Sequence, residues 1–407
     1  MGKARPSHPA PLSVAALERE RDRIAAWWLA HGPDPAHGGF VGLIDADGRA
    51  HSGANKGIVM TTRILWFFST LALQEDRADW RQAAERAYAS LRDGFHDAEH
   101  GGVFWELAAD GAVVADKKQS YAQAFAIYAC VAWHRASGDA EPLDRAMQYF
   151  ERLERRVRDR KHGGYLEALS RSWGTLYDLR LGAADMNAPK SANTHLHLLE
   201  AYTALQRATR SPLVEEALRH LVGLFFDRIA VTGRGPLGTF FDSRWNRLSE
   251  LQSFGHEIEA SWLLWDAVEA LQDRRLSEHL FPLVLGLAEA CLEHGIGPDG
   301  RLCEQRDPLG GQRADTSVWW VQAEALVGFL NAGRLSGEDR YRRAAEAVWR
   351  HIDARHIDHE GGEWFWWPPD EVGAGQLPYK AGFWKGPYHN GRAMIEAARH
   401  LAAMESL

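Results

Sequence analysis

His37-Gly38-Gly39-Phe40, His100-Gly101-Gly102-Val103 and His162-Gly163-Gly164-Tyr165 are three copies of one turn-forming segment. Weaker copies follow at Gly235-Pro236-Leu237-Gly238, Gly297-Pro298-Asp299-Gly300 and Glu360-Gly361-Gly362-Glu363. They are spaced 63, 62, about 74, 62 and 63 residues apart. A fixed period marks a repeated supersecondary unit, and a step of this size holds two helices and a loop.

Between the glycine turns, apolar residues recur at i, i+3, i+4 and i+7, the pattern of an amphipathic helix. Twelve such stretches fall at roughly 12–30, 57–73, 76–95, 120–137, 141–158, 192–208, 212–228, 254–272, 276–293, 316–333, 338–354 and 389–404. Even stretches pass to the next odd one through a few residues. Odd stretches pass on through long loops that hold the glycine turn and short β-like pieces such as Gly39-Phe40-Val41-Gly42-Leu43-Ile44. The even stretches are the more apolar and aromatic (Ile64-Leu65-Trp66-Phe67-Phe68), and the odd ones carry more charge (Arg81, Glu85, Arg86). An open solenoid and a closed ring both suit six hairpins; repeats of this size close well. The expected fold is therefore all-α: an (α/α)6 barrel with even helices inside and odd helices outside, and short β-hairpin loops at one end. Residues 12–407 form a single catalytic domain in this scheme, after a flexible segment 1–11.

Composition excludes several function classes. With 45% apolar and 25% charged residues, the chain has the balance of a globular protein. A net charge of -8 argues against nucleic acid as a partner. No run of about 20 apolar residues exists to span a membrane, and Met1 to Pro11 lack the apolar core of a secretory signal. Cys130, Cys291 and Cys303 are odd in number and show no CxxC spacing, which fits a reducing, cytoplasmic setting. The 17 Trp residues are unusual. An indole offers a flat apolar face and one donor, which suits a sugar ring.

The alternation of loops places the N-termini of all six even helices at one end of the barrel, so polar residues there should converge. Those starts hold Arg63, Tyr121, Asn193 with His197, His256 with Glu259, Trp319 and Trp320, and Tyr388-His389-Asn390-Gly391-Arg392. Asn193 and His197 share a helix face at i, i+4, and His256 and Glu259 share one at i, i+3. His197, His256 and His389 are the candidate catalytic groups, at one level of three inner helices. His195 faces away and is assigned a structural role. His37, His100 and His162 occupy equivalent turns and are given a shared loop role. Three His and a Glu raise the question of a metal; no HExxH or similar spacing appears, Arg63 adds a cation, and no metal is expected. Paired carboxylates such as Glu259 and Asp185 could serve a glycosidase, but the histidines would then have no task. No phosphate-binding or serine-nucleophile motif is present, and no cofactor is expected.

These helix starts resemble those of the N-acylglucosamine 2-epimerase superfamily, and within it the cellobiose 2-epimerases. The resemblance is carried by Asn193-Thr194-His195-Leu196-His197-Leu198-Leu199-Glu200-Ala201-Tyr202 and by Ser253-Phe254-Gly255-His256-Glu257-Ile258-Glu259-Ala260-Ser261-Trp262-Leu263-Leu264. Trp384-Lys385-Gly386-Pro387-Tyr388-His389-Asn390-Gly391-Arg392-Ala393, Trp319-Trp320-Val321-Gln322-Ala323-Glu324 and Asp185-Met186-Asn187 fit the same pattern. It extends from Gly38 to Arg392. Ala122 stands where glycine is expected, and Gly386 where cysteine is common.

The resemblance implies cofactor-independent epimerisation at C2 of a reducing sugar, through ring opening and a cis-enediolate. Histidine suits the two proton transfers because its solvated pKa lies near ~6.5. The expected roles are His256 and His389 as the acid/base pair, and His197 with Asn193 at ring opening. Glu259 would orient His256 or accept a hydroxyl. Arg63 would face the enediolate charge, Trp319 or Trp320 and Trp384 would stack sugar rings, and Tyr121 and Asp185 would bind hydroxyls. The expected partner is a mono- or disaccharide, and the expected state a monomer or homodimer. Mannose 2-epimerisation, mannose–fructose isomerisation and a non-catalytic sugar- or protein-binding barrel are the competing functions.

Overall fold

The computed structural model describes residues 11–307, 316–373 and 377–405. Apart from residue 11, the N-terminal segment 1–11 lies outside them. Twelve α-helices run in order among the described residues: α1 Val14–His31, α2 Ile58–Gln74, α3 Ala78–Ala89, α4 Ser120–Ser137, α5 Glu141–Arg156, α6 Ala192–Thr209, α7 Pro212–Leu224, α8 Phe254–Leu271, α9 Arg274–Ala290, α10 Trp319–Ser336, α11 Asp339–His351 and α12 His389–Glu405. The even helices pack against one another in sequence, and each odd helix from α3 to α11 packs outside the even helix before it. In α2 almost every side chain is buried, from Ile58 to Ala72. In α5 burial is confined to one stripe, Ala146, Tyr149, Phe150 and Leu153. That contrast separates a helix covered all round from one with a solvent face.

Four outer helices end in one wider turn each, Ser90–Phe95, Phe225–Ile229, Cys291–Gly295 and Ile352–His356. There the backbone bond reaches back five residues, as in His96 N–H to Leu91 O at 2.9 Å. Such π turns insert one residue without breaking the helix. The apolar period therefore carries on past the last regular α-turn.

The glycine turn follows each outer helix, and its construction repeats. Asp34, Asp97, Asp159 and Asp358 each accept two backbone N–H groups two and three residues ahead. In the first three turns the residue three ahead is His37, His100 or His162, which takes part through its backbone N–H. The same aspartates pair with Lys56, Lys118, Lys190 and Lys380 at 2.6–2.8 Å. Three of the lysines sit two residues ahead of an inner helix, which ties the turn to the helix start. Lys118 and Asp97 are almost fully buried, so loss of either partner should cost about 3–5 kcal/mol. At Gly102 the φ of +76° and the closeness of Gln123 Oε1, 2.7 Å from where a Cβ would lie, both require glycine.

Two-residue strands knit each loop to the next. Lys56–Gly57 pairs with Glu106–Leu107, Lys118–Gln119 with Ala168–Leu169, Lys190–Ser191 with Phe240–Phe241, and Gln252–Ser253 with Gln305–Arg306. The ring closes in the same way: Ile44 and Asp45 pair with Ala381 and Tyr379. Trp28 donates to Glu363 at 2.7 Å and Trp364 to Glu20 at 2.8 Å across that seam. α1 packs on α12, and Gly391 on α12 leaves no space for a Cβ against Phe67 on α2. The (α/α)6 barrel is thus complete. Among the described residues, no helix is long and apolar enough to cross a membrane.

Candidate active site

The inner-helix starts converge at the loop end of the barrel. His389 opens α12, and its Nδ1 donates to Glu324 Oε1 on α10 at 2.6 Å. Its Nε2 accepts from Arg63 Nη2 on α2 at 3.2 Å. This pattern fixes the neutral tautomer with the proton on Nδ1. Burial, then the cations Arg63 and Arg392, hold this imidazole well below the usual histidine range.

Arg63 also donates to Tyr121 Oη at 2.9 Å and to the carbonyl of Trp384. Its guanidinium lies over the rings of Phe125 and Tyr388, at 4.9 and 5.0 Å. The charge is held between two aromatic faces, with Nε unpartnered. Burial raises the Tyr121 phenol, so it stays protonated and can donate.

His197 is buried on α6, edge-on to Tyr121 at 4.8 Å, and its Nδ1 donates to Glu200 Oε2 at 3.0 Å. Burial lowers its pKa, with Glu200 opposing. His256 on α8 is half-buried. Its Nδ1 lies 2.7 Å from Oγ of Ser253, the N-cap of that helix. Burial pushes this histidine down to about 4, so near neutrality its ring is an unprotonated base. Trp320 lies between the two imidazoles, 5.1 Å from His256 and 5.6 Å from His389.

The expected role of Glu259 as a guide for His256 is replaced. Its Oε1 accepts from Arg392 at 2.7 Å, and its Oε2 has no partner. Ser253, at the cap, already occupies the place beside Nδ1. Burial and the neighbouring Glu324 raise Glu259 to about 8. Trp319 is 1% exposed and packs edge-on against His389 at 5.4 Å; no ring face is left for a sugar. Trp320 and Trp384 are half-buried and keep open surface.

Asn193, Asp185 and His256 border a cavity of about 430 Å³ reached between the starts of α6 and α8. Asp185 Oδ2 accepts the Gly182 N–H at 2.7 Å, and this fixes the loop that roofs the cavity. His195 is structural: Nδ1 donates to Ser191 O at 2.7 Å and Nε2 accepts from Tyr165 N–H at 2.9 Å.

Below the histidines lies an ionic hub that sequence reasoning did not assign. Arg392 contacts Glu200, Glu259 and Glu324, with the latter two at 2.7 Å, and also the Tyr388 hydroxyl. Tyr388 Oη donates to Glu200 at 2.5 Å. Burial pushes the Glu200 carboxyl up, but Arg392 and His197 outweigh it and leave it below the usual range. The available signal was spacing: Glu200 is i+3 from His197, and Arg392 is i+3 from His389. Ligand-type atoms of Glu259, Glu324 and His389 lie within 4.8 Å of one another. The Arg392 guanidinium already rests on both carboxylates. Gly386 sits tight against Arg63, whose Cβ is 3.2 Å from the position a Cβ would take. A larger residue there presses on the Cβ end of the Arg63 side chain.

Residues 38–390 match the family described as N-acylglucosamine 2-epimerase (GlcNAc 2-epimerase). A cellobiose 2-epimerase from Bacteroides fragilis is 38% identical over 92% of this chain and 95% of its own length. One from Ruminococcus albus is 36% identical over 95% and 98%. The solved structure of cellobiose 2-epimerase from Spirochaeta thermophila superimposes with a TM-score of 0.87 at 42% identity, covering 96% of this chain and 97% of that one.

Proposed function

Since the chain belongs to the N-acylglucosamine 2-epimerase family, we propose that it epimerises C2 of the reducing-end glucose in β-1,4-linked disaccharides such as cellobiose, interconverting it with mannose. It is a carbohydrate epimerase. One observation carries the catalytic assignment: His256 and His389 flank Trp320, and Arg63 touches His389.

The substrate acts as its open-chain aldehyde, in which the C2 proton is acidified by the carbonyl. His197, held by Glu200, assists ring opening with Asn193 beside it. One of His256 and His389, neutral at rest, takes the C2 proton. The enediolate oxygens then build negative charge beside Arg63 and the Tyr121 hydroxyl, and such preorganised donors supply the largest share of rate enhancement in many enzymes. The imidazolium just formed is stabilised by that charge. The second imidazole draws a proton from the solvent-exchangeable pool and delivers it to the opposite face of C2, and the first releases the proton it took to the same pool, so both rings end neutral. Glu324 and Ser253 hold the two rings by their Nδ1 atoms; Nε2 of His256 is left for the substrate, and Nε2 of His389 reaches it once Arg63 turns to the enediolate oxygens. Trp320 and Trp384 stack on sugar rings, and Asp185 and Glu259 accept hydroxyls.

Every group named comes from a single chain, so a monomer or a homodimer serves equally. Three free, buried cysteines suit a reducing compartment such as the cytoplasm. The test is turnover of cellobiose in heavy water. One deuterium is expected at C2 of both epimers, with the product separated by chromatography. Product without deuterium, or a ketose as the main product, would replace this assignment by another chemistry.

A further inference from the structure

Three carboxyl-bearing side chains face the cavity beside His256, and two of them are satisfied. Glu167 accepts from Ser191 Oγ and Thr194 Oγ1 at 2.6 and 2.8 Å. Asp185 accepts from Gly182 N–H. Glu304 is different. Among the described residues its carboxylate has no hydrogen-bond or ion-pair partner, although burial is sufficient to raise its pKa above the ordinary range and no cation offsets it. The side chain is half-buried and borders the cavity, so its carboxylate is a free acceptor for a ligand that displaces the water there.

The backbone places Glu304 firmly. Its carbonyl accepts from Gly255 N–H at 3.2 Å, and the next two residues pair with Ser253 and Gln252. Leu302 and Cys303 before it are fully buried, whereas Glu304 is half-buried and borders the cavity. The residue thus stands against the first turn of α8, where His256 begins the reaction site. None of Arg63, His197 and His389 borders this cavity. It therefore takes the part of a ligand that extends past His256, away from the enediolate-binding cations.

We infer that Glu304 is a specificity residue that accepts hydroxyl hydrogens from the second sugar ring, the one linked to the reacting glucose. The inference rests on the epimerase assignment above. A carboxylate suits this role because sugar hydroxyls donate readily to it, and an ionised acceptor makes the stronger hydrogen bond. Acting on the distant ring, it contributes to binding and leaves the chemical step alone.

The test compares wild type with Glu304→Ala and Glu304→Gln, with thermal melting to establish that each variant folds. Cellobiose binding is measured by calorimetry, and epimerisation by C2 deuterium incorporation. In Glu304→Ala, Kd and KM for cellobiose should rise about 10-fold or more, the loss of one charged hydrogen bond, with kcat nearly unchanged. Glu304→Gln keeps a carbonyl acceptor and should lose less. A fall in kcat at constant KM would overturn the inference, as would unchanged binding in Glu304→Ala or wild-type protein that binds no cellobiose. Wild type that binds cellobiose yet exchanges no proton at C2 would defeat the epimerase assignment, while the calorimetry still decides the role of Glu304.

Discussion

The two walls of the reaction site are built on opposite plans. On the α10–α12–α2 side, His389, Glu324, Arg392 and Arg63 form a continuous buried network, and Trp319 and Tyr388 fill the remaining space. On the α6–α8 side, His256 meets an open cavity with Asn193, Asp185 and Glu304 on its rim. One wall is preorganised for charge. The other leaves space and one carboxylate, that of Glu304, without a partner among the described residues. On the proposed mechanism, the contrast teaches that enediolate charge is met by the closed wall, while the rest of the substrate is received by the open one.

The largest expected effect removes one member of the acid/base pair. His389→Ala and His256→Ala should each lower kcat/KM for cellobiose by ~10²–10⁴-fold; full activity in either variant would take that residue out of the pair. Arg392→Met attacks the closed wall through stability, because it leaves Glu200, Glu259 and Glu324 without their shared cation. A loss of about 3–5 kcal/mol in urea unfolding is expected, the usual consequence of breaking a buried ion pair. Asn193→Ala, on the open wall, should stay within about 0.5 kcal/mol. Equal losses in the two would erase the distinction.

A third effect is read in pH. Burial holds His256 down to about 4, so its base form persists as pH falls and is lost only when a proton adds near that value. The acid limb of kcat/KM should therefore lie near 4 rather than near the ~6.5 of a solvated imidazole. A limb at the solvated value would mean that water reaches this ring freely. The smallest change is Gly386→Cys, which presses on Arg63 and should reduce kcat modestly with KM unchanged.

The helices were legible because each carries its own period. All twelve expected stretches start within three residues of their helices: the second was placed at 57 and begins at Ile58, and the tenth was placed at 316 and begins at Trp319. That last shift has a cause, since Trp319 N–H bonds across the loops to Trp366 O at 3.0 Å. The histidines were legible because one helical level of one barrel end could be counted. What holds them was not. Glu324 lies 65 residues from His389, and no local pattern pairs them. Adjacent Trp319 and Trp320 point to different surroundings, one sealed and one open, and only tertiary packing decides which. Glu304 sits in a bend just before a two-residue strand, with no periodicity to reveal which side it faces.

The seam has a bearing on how activity arises in time. Because α1 occupies the last outer position, beside α12, the ring closes only when two helices at opposite ends of the repeat array meet. His389 and Arg392 belong to that final helix, so a truncated or stalled chain can build most of the ring and still possess no competent centre. Closure of the ring and assembly of the proposed centre become one event.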